Sequence, residues 1–517
     1  MTIPLLFNHV GGRWQSGSGT GTVLHDPVLG TELVRVDATG LDLPSAFQFA
    51  RQQGSAALQA LTYGERAALL AQCQKVLQTH REAYDDIALA NSGTVKNDTA
   101  VDVDGALYTL GQYARWGAAL GDVRVLRDGD RVNLGKEPIF QSAHLRTPRP
   151  GLALLINAFN FPAWGLWEKA APALLSGMAV VVKPATATAW LTQRMVQDVV
   201  EAGILPPGAL SVVCGSSAGL LDALQPFDVL SFTGSAETAA VIRSHPAVTR
   251  DAVRATIEAD SLNSAVLLPD ATPGTPAFDL LVREVVREMT VKSGQKCTAI
   301  RRIFVPETLF GSVADAISAK LAKISVGNPR NDSVRMGSLV SRAQLAAVQD
   351  GLQQLAGATS VLYDGRKQPL VDADPDIAAC QQPVLLGTQD AGAAQIIHDV
   401  EVFGPVATLA AYRDVDQAHQ LVRRGMGSLV ASLYGDDPDA LARSVLALAP
   451  FHGRVHVVTP EVAQTHTGHG NVMPMSLHGG PGRAGGGEEL GGLRALDFYH
   501  QRSAVQASPR VLQALGL

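Results

Sequence analysis

Between residues 151 and 258, short apolar runs alternate with longer amphipathic stretches, and few folds accommodate that order. The runs cover 152–157, 178–183, 210–214, 228–232 and 253–257, and the stretches at 188–202 and 236–243 have helical spacing. Alternation of this kind predicts a parallel sheet with right-handed crossovers. Ligands in such sheets bind beyond the carboxyl ends of the strands, so the residues that follow each run are the first to inspect. A second region repeats the theme, with helices expected at 277–291, 309–323, 342–355 and 438–448 and strands at 302–305, 407–411 and 429–433. Asp437 is placed to cap the last helix, with Pro438 at its first position. The expected class is α/β.

The 517-residue chain is long enough for at least two cores. Its net charge of -6, with both signs interspersed, supplies no electrostatic reason for a nucleic-acid or anionic-membrane partner. The longest apolar stretch, 171–182, is broken by Pro172, Ser176 and Gly177 and is too short for a bilayer span. The opening Met1-Thr2-Ile3-Pro4 lacks the pattern of a signal peptide, which leads us to expect a cytoplasmic protein. Cys73, Cys214, Cys297 and Cys380 lie far apart, so neither a disulfide framework nor a zinc ribbon is expected.

Other stretches read less sharply. Thr62 and Glu65 have capping-box spacing ahead of a helical face of Leu69, Leu70, Cys73, Val76 and Leu77, which marks a helix start and no chemistry. Residues 131–149 suggest a hairpin leaving the main body. The glycine-rich stretch 478–492 carries Glu488 and Glu489 and is expected to be an ordered loop. His452, His456, His466, His469 and His478 cluster late, but no paired ligands sit at a metal-binding spacing, and no metal is expected.

Cys297 is the strongest candidate for chemistry. It lies in Lys292-Ser293-Gly294-Gln295-Lys296-Cys297-Thr298, where the two lysines are placed to favour a thiolate. A lone cysteine is more often an inert core residue, and Cys73 and Cys214 fit that reading, the second at a strand end. Glu258 follows a strand and is placed as a general base on water, although a solvated or capping glutamate is the commoner case. Asn160, after the first strand, has an amide suited to an oxyanion, or to a simple turn. Lys183 closes the second strand within reach of a phosphate or ribose. Thr233-Gly234-Ser235 opens a helix, a setting for phosphate or merely a cap. No Walker A or G-x-S-x-G pattern occurs.

The order of these pieces is more telling than any one of them. Asn-Phe-Pro at 160–162, Val-Val-Lys-Pro-Ala at 181–185, Phe-Thr-Gly-Ser at 232–235, Glu258, Gly-Gln-Lys-Cys at 294–297 and Glu-Val-Phe-Gly-Pro-Val at 401–406 together resemble the aldehyde dehydrogenase superfamily along nearly the whole chain. The resemblance implies a Rossmann-type nucleotide-binding domain (1–130 and 150–262), an α/β catalytic domain (263–480) and a small oligomerisation arm (131–149 and 495–517) that makes a homodimer. It implies Cys297 as nucleophile, Glu258 as base with Glu489 as the alternative, and Asn160 with the Cys297 backbone N–H as oxyanion hole. Lys183 would hold the adenosine ribose or its phosphate. Phe232, Gly234 and Ser235 would lie along the cofactor, with Glu401 on the nicotinamide ribose and Phe403 beside it.

Two departures from the family pattern matter. Many members read Glu-Leu-Gly-Gly-Lys where this chain has Glu258-Ala259-Asp260-Ser261-Leu262. Members that prefer NAD often place a glutamate three residues after the cofactor lysine; here that residue is Thr186, which implies NADP ahead of NAD. Three segments, 258–263, 296–302 and 478–494, resemble a narrower group that acts on CoA-linked aldehydes in aerobic aromatic-acid breakdown, which implies a CoA-linked semialdehyde as substrate. The competing readings are a CoA-acylating or broad-specificity dehydrogenase, a non-catalytic protein on the same scaffold, and a cysteine hydrolase.

Overall fold

The structure, a computed structural model, describes residues 3–517. Met1-Thr2, the start of the segment inspected for a leader, lies outside the described residues. The five apolar runs form the parallel strands Leu152–Ile156, Ala179–Lys183, Leu210–Val212, Val229–Thr233 and Arg254–Glu258 of a seven-stranded sheet. The strand Leu152–Ile156 lies inside the sheet, with Ala179–Lys183 on one side and Val229–Thr233 on the other. The chain thus builds outward one way and then reverses, leaving a switch point between the first and fourth of these strands. Asn8–Val10 and Arg13–Gln15 extend the far edge as an antiparallel hairpin.

The central strands Leu152–Ile156, Ala179–Lys183 and Leu210–Val212 are buried on both faces, which is why they read as continuous apolar runs. Leu152, Leu154, Val181, Leu230 and Phe232 pack into one core, while Ala153, Leu155, Val180 and Val182 face the other with the helices Tyr63–Thr79, Lys96–Leu120 and Trp164–Leu175. The capping box at Thr62 is formed, with Glu65 N–H donating to the hydroxyl and the Thr62 N–H donating to the carboxylate. Strand 210–212 stops short of Cys214; that thiol is buried two residues beyond, and its N–H donates to Asn8 Oδ1 at 2.7 Å.

The second sheet also has seven strands, ordered Ser360–Asp364, Val384–Thr388, Val406–Tyr412, Arg302–Pro306, Ser264–Leu267, Ser428–Tyr434 and His452–Val458. All its pairings are parallel except that of the first strand, which lies antiparallel at the edge. The expected helices at 277–291, 309–323, 342–355 and 438–448 appear as Pro276–Thr290, Phe310–Leu321, Arg342–Ala356 and Pro438–Leu448, the last capped by Asp437.

A three-stranded antiparallel sheet pairs Leu126–Asn133, Gln141–Pro148 and His500–Ala507. The hairpin expected at 131–149 therefore begins earlier, at Leu126, because its first strand pairs as far back as Arg146. Val132, Leu134, Ile139 and Phe140 are exposed near its tip. The glycine-rich stretch is ordered as the hairpin Leu477–Gly479 and Glu488–Leu490, whose connection reaches the first sheet: Gly487 N–H donates to Ile257 and Ala259 N–H to Ala484. Solved structures with the same architecture, described below, place the fold in the α/β class.

Candidate active site

The strand Arg254–Glu258 ends the first sheet on Glu258, which is its last residue and not the one after it. Six residues later Ser264 begins a strand of the second sheet. The crossing between them is laced by side chains: Ser261 Oγ donates to Asn263 Oδ1, Leu429 N–H donates to Ser261 Oγ, and Val430 N–H donates to Asn263 Oδ1. The Asn263 amide then donates to two carbonyls of the cysteine loop, Cys297 at 2.7 Å and Ala299 at 3.0 Å. The departure from the family pattern at 259–262 thus lies in the segment that leads to the anchor of Cys297. Sequence reasoning assigned Asn263 no role.

The loop before Cys297 is held in a conformation that L-residues rarely adopt. Lys292, Ser293 and Gly294 all have positive φ, at 52°, 55° and 68°. Gly294 is required on a second count, since a Cβ there would lie 2.3 Å from the Gly404 carbonyl oxygen. The surroundings hold the strain. Lys292 N–H donates to Asp98 at 2.8 Å, the Lys292 ammonium lies over the Phe161 ring, and Ser293 Oγ donates to the Gly337 carbonyl at 3.0 Å.

The two lysines do not lend Cys297 the positive potential expected of them. Lys296 donates to both oxygens of Glu288 at 2.8 Å, and Lys292 lies 3.5 Å from Asp102, all of these groups being buried. Their charge is spent on carboxylates. Enclosure by the protein pushes the Cys297 thiol well up, and the negative charge of Glu258 pushes it further. The resting group is a thiol with a carboxylate beside it.

One polar atom each from Glu258, Cys297 and His478 lies within 4.8 Å of the other two. Glu258 and His478 are both buried, and His478 Nε2 stands 2.9 Å from Glu258 Oε2. Burial alone would raise the Glu258 carboxyl; the charge of His478 outweighs it and holds the group down at about 2. The other late histidines go elsewhere. His452 contacts the Leu448 carbonyl, His469 contacts Ser432, and His456 faces His466. Nothing in their spacing separates His478 from them, and sequence reasoning gave it no role.

Behind Glu258 lies a second buried charged group. Lys169 pairs with its neighbour Glu168 and stands 2.9 Å from Glu489 Oε2, while Ser231 donates to Glu489 Oε1 at 2.6 Å. Burial raises the Glu168 carboxyl to about 8. Glu489 is thus committed to Lys169 and Ser231, and Glu258 is the carboxylate of the thiol cluster. Glu168 and Lys169 were not picked out in the sequence, where they sit unmarked in an apolar helix.

Two cavities meet at Cys297. A cleft of about 720 Å³ is lined by Asn160, Lys183, Thr186, Phe232, Gly234, Ser235, Glu258, Glu401 and Phe403 together with the thiol. It opens at the switch point of the first sheet. A narrower funnel of about 290 Å³ approaches between Val101, Tyr108, Phe161, Trp164, Val472 and Met473. Among the described residues, Cys297 alone lines both.

The cleft suits a dinucleotide. Ser235 and Thr238 at the start of the helix Ala236–Ser244 line it, with Ser235 Oγ accepting from Thr238 N–H and Asp260 accepting from Ala236 N–H. Asn157 has a buried amide with no protein partner and lines the same space. Glu401 accepts from Ser261 N–H at 2.9 Å through Oε2 and leaves Oε1 without a hydrogen bond. Phe403 stands edge-on to Phe159, with ring centres 5.7 Å apart.

The sequence profile of the aldehyde dehydrogenase family matches residues 14–505. A 3,4-dehydroadipyl-CoA semialdehyde dehydrogenase from Aromatoleum evansii is 57% identical over 92% of this chain and 93% of its own. Lactaldehyde dehydrogenase from Escherichia coli has the same fold, with a TM-score of 0.85 at 19% identity over 98% of this chain and 99% of that one. An NADP-dependent enzyme of E. coli superposes with a TM-score of 0.84 at 22% identity, over 97% of this chain and 98% of its own.

The anchoring by Asn263 makes a prediction. Asn263→Ala leaves two buried carbonyls unpaired, at a cost of roughly 1–3 kcal/mol each. Thermal stability and turnover should both fall, and Asn263→Asp should not restore them because a carboxylate cannot donate. Wild-type turnover and melting in Asn263→Ala would show that the loop holds without its anchor.

Proposed function

The chain belongs to the aldehyde dehydrogenase family and is an oxidoreductase acting on aldehydes, and we propose that it oxidises a CoA-linked semialdehyde, of the 3,4-dehydroadipyl type, through a thioester on Cys297 with NADP. The observation that carries the reading is that Cys297 is shared by the cleft and the funnel. Aldehyde arriving by the funnel and nucleotide lying in the cleft meet at that sulfur. The choice of aldehyde is supported by the 57% identity to the A. evansii enzyme.

In this reading the thiol proton passes to solvent and the Cys297 sulfur adds to the aldehyde carbon as its thiolate. The alkoxide is received by the Asn160 amide and the Cys297 N–H. A nucleotide held in the cleft by Lys183, Ser235 and Glu401 would supply the hydride acceptor, and departure of hydride from the substrate carbon leaves the thioester. Glu258 then removes a proton from water, and hydroxide adds to the thioester carbon. Expulsion of the sulfur yields the acid and restores the thiol after reprotonation.

The preference for NADP rests on Thr186. The cleft's carboxylates are Glu258, Asp260, Asp399 and Glu401, and none follows Lys183. Thr186 instead presents a hydroxyl, 3.4 Å from the Gly215 carbonyl. The exposed apolar tip of the 126–148 hairpin is the surface we assign to pairing of two copies, and the sheets are read as the nucleotide-binding and catalytic domains.

Three outcomes follow for turnover. Cys297→Ala should show none with any aldehyde, and measurable NADPH production in that variant would remove the thioester. Glu258→Gln should release a burst of NADPH and then slow by about 10²–10⁴-fold, the usual worth of a positioned base; an undiminished steady rate would assign the water step elsewhere. Thr186→Glu should raise the KM for NADP by about tenfold or more through like-charge repulsion, and unchanged discrimination between NADP and NAD would overturn the role of Thr186.

A further inference from the structure

The Glu258–His478 pair calls for an explanation that the reaction outlined above does not supply. Glu258 is 4% exposed and His478 3%, so neither is solvated. Glu258 Oε1 has no hydrogen-bond partner, and neither has the hydroxyl of Thr233, the residue paired with Glu258 on the adjoining strand. An ionised carboxylate so enclosed needs a compensating group. His478 Nε2 at 2.9 Å is that group. The hairpin places it there: His478 sits opposite Glu489 in the register of Leu477–Gly479 and Glu488–Leu490. Its ring lies 5.5 Å from that of Trp164, in an edge-on arrangement that limits where the imidazole can turn.

We propose that His478 is a positioning residue: it fixes the Glu258 carboxylate beside Cys297 and, by carrying or losing its proton, sets the pH at which Glu258 removes a proton from water. This rests on the reading of Cys297 as nucleophile and Glu258 as base.

The charged groups that face His478 come from four elements. They are Glu258 at the end of its strand, Glu489 on the paired strand, Glu168 and Lys169 on the helix Trp164–Leu175, and the Cys297 thiol. Arg454, on the adjoining strand His452–Val458, is turned away and donates to the carbonyls of His469 and Asn471. Burial lowers the His478 imidazolium, but the carboxylates, Glu258 foremost, outweigh it, and the net direction is upward from 6.5. His478 is therefore charged at and somewhat above the ordinary histidine range.

The sign follows. While His478 is protonated its charge lowers the proton affinity of Glu258, which makes a weak base. As pH rises and His478 loses its proton, that charge disappears and Glu258 binds a proton more tightly. Hydrolysis of the thioester should then accelerate. Because a base transmits only part of its basicity to the rate, the gain is about tenfold and not more.

The test uses the intact enzyme with NADP and a six-carbon aliphatic aldehyde. The NADPH burst and the post-burst rate are followed from pH 6 to 9. Wild type should show a post-burst rate that rises about tenfold through a midpoint above 6.5. His478→Gln keeps a donor at the Nε2 position but cannot titrate. It should keep the burst, turn over within about tenfold of wild type, and lose the rise. His478→Leu should keep the burst and slow the post-burst rate by a further factor of about ten or more. A flat wild-type profile would overturn the proposal without any variant. So would the same rise at the same pH in His478→Gln, or wild-type turnover in a folded His478→Leu. Cys297→Ala and Glu258→Gln run alongside separate the two layers. If they behave as described above and the His478 variants do not, only this inference falls; turnover in Cys297→Ala removes the parent reading with it.

Discussion

The crossing from Glu258 to Ser264 is the constraint on which the site depends. It closes one seven-stranded sheet on a carboxylate and opens the other within six residues. In between, the Asn263 amide reaches the Cys297 and Ala299 carbonyls while its oxygen accepts from the strand at Val430. Base and thiol are thereby registered to each other through backbone bonds and not through side-chain packing alone. The left-handed turn at 292–294 is the other half of the arrangement, because it delivers Cys297 from the helix Pro276–Thr290 to the place where Asn263 can hold it.

The electrostatics run against the simplest idea of an activated cysteine. Buried cations near the thiol are each matched to a carboxylate: Lys292 to Asp102, Lys296 to Glu288, Lys169 to Glu168 and Glu489, and Arg301 to Glu401. Buried charges without such partners would be expensive, and pairing removes most of their outward field. What reaches the sulfur is the negative charge of Glu258. A thiol kept protonated until substrate arrives is protected from stray oxidation and alkylation, since the thiolate is the reactive form. The cost is a base that must be held ionised in a dry place, which gives His478 its importance.

Much of this was legible in the residues. The strand-and-helix alternation after Gly151 placed five neighbouring parallel strands, because strands buried on both faces read as continuous apolar runs. Asn160, Lys183, Ser235 and Glu258 sit at or just beyond the ends of those strands, where topology puts ligands, and Glu401, Phe403 and Cys297 line the same cleft. What escaped notice has physical reasons. Ser264–Leu267 and Val384–Thr388 are strands of four and five residues without distinctive flanks. The helix Trp164–Leu175 is apolar on all sides, so Glu168 and Lys169 gave no periodic signal. The lysines beside Cys297 were misread because their partners, Asp102 and Glu288, are visible only once the chain has folded. Asn263 and His478 act through contacts from 34 to 220 residues away in sequence, and no local pattern encodes those.

The central claim is that a CoA-linked acyl group passes through Cys297, and the direct measurement is mass spectrometry of Glu258→Gln quenched in acid after mixing with NADP and a CoA-linked six-carbon semialdehyde. The expected result is an adduct of the acyl-CoA mass on the peptide that contains Cys297, formed together with one equivalent of NADPH and absent in Cys297→Ala. NADPH formed without any adduct, or an adduct on Cys73, Cys214 or Cys380, would contradict it.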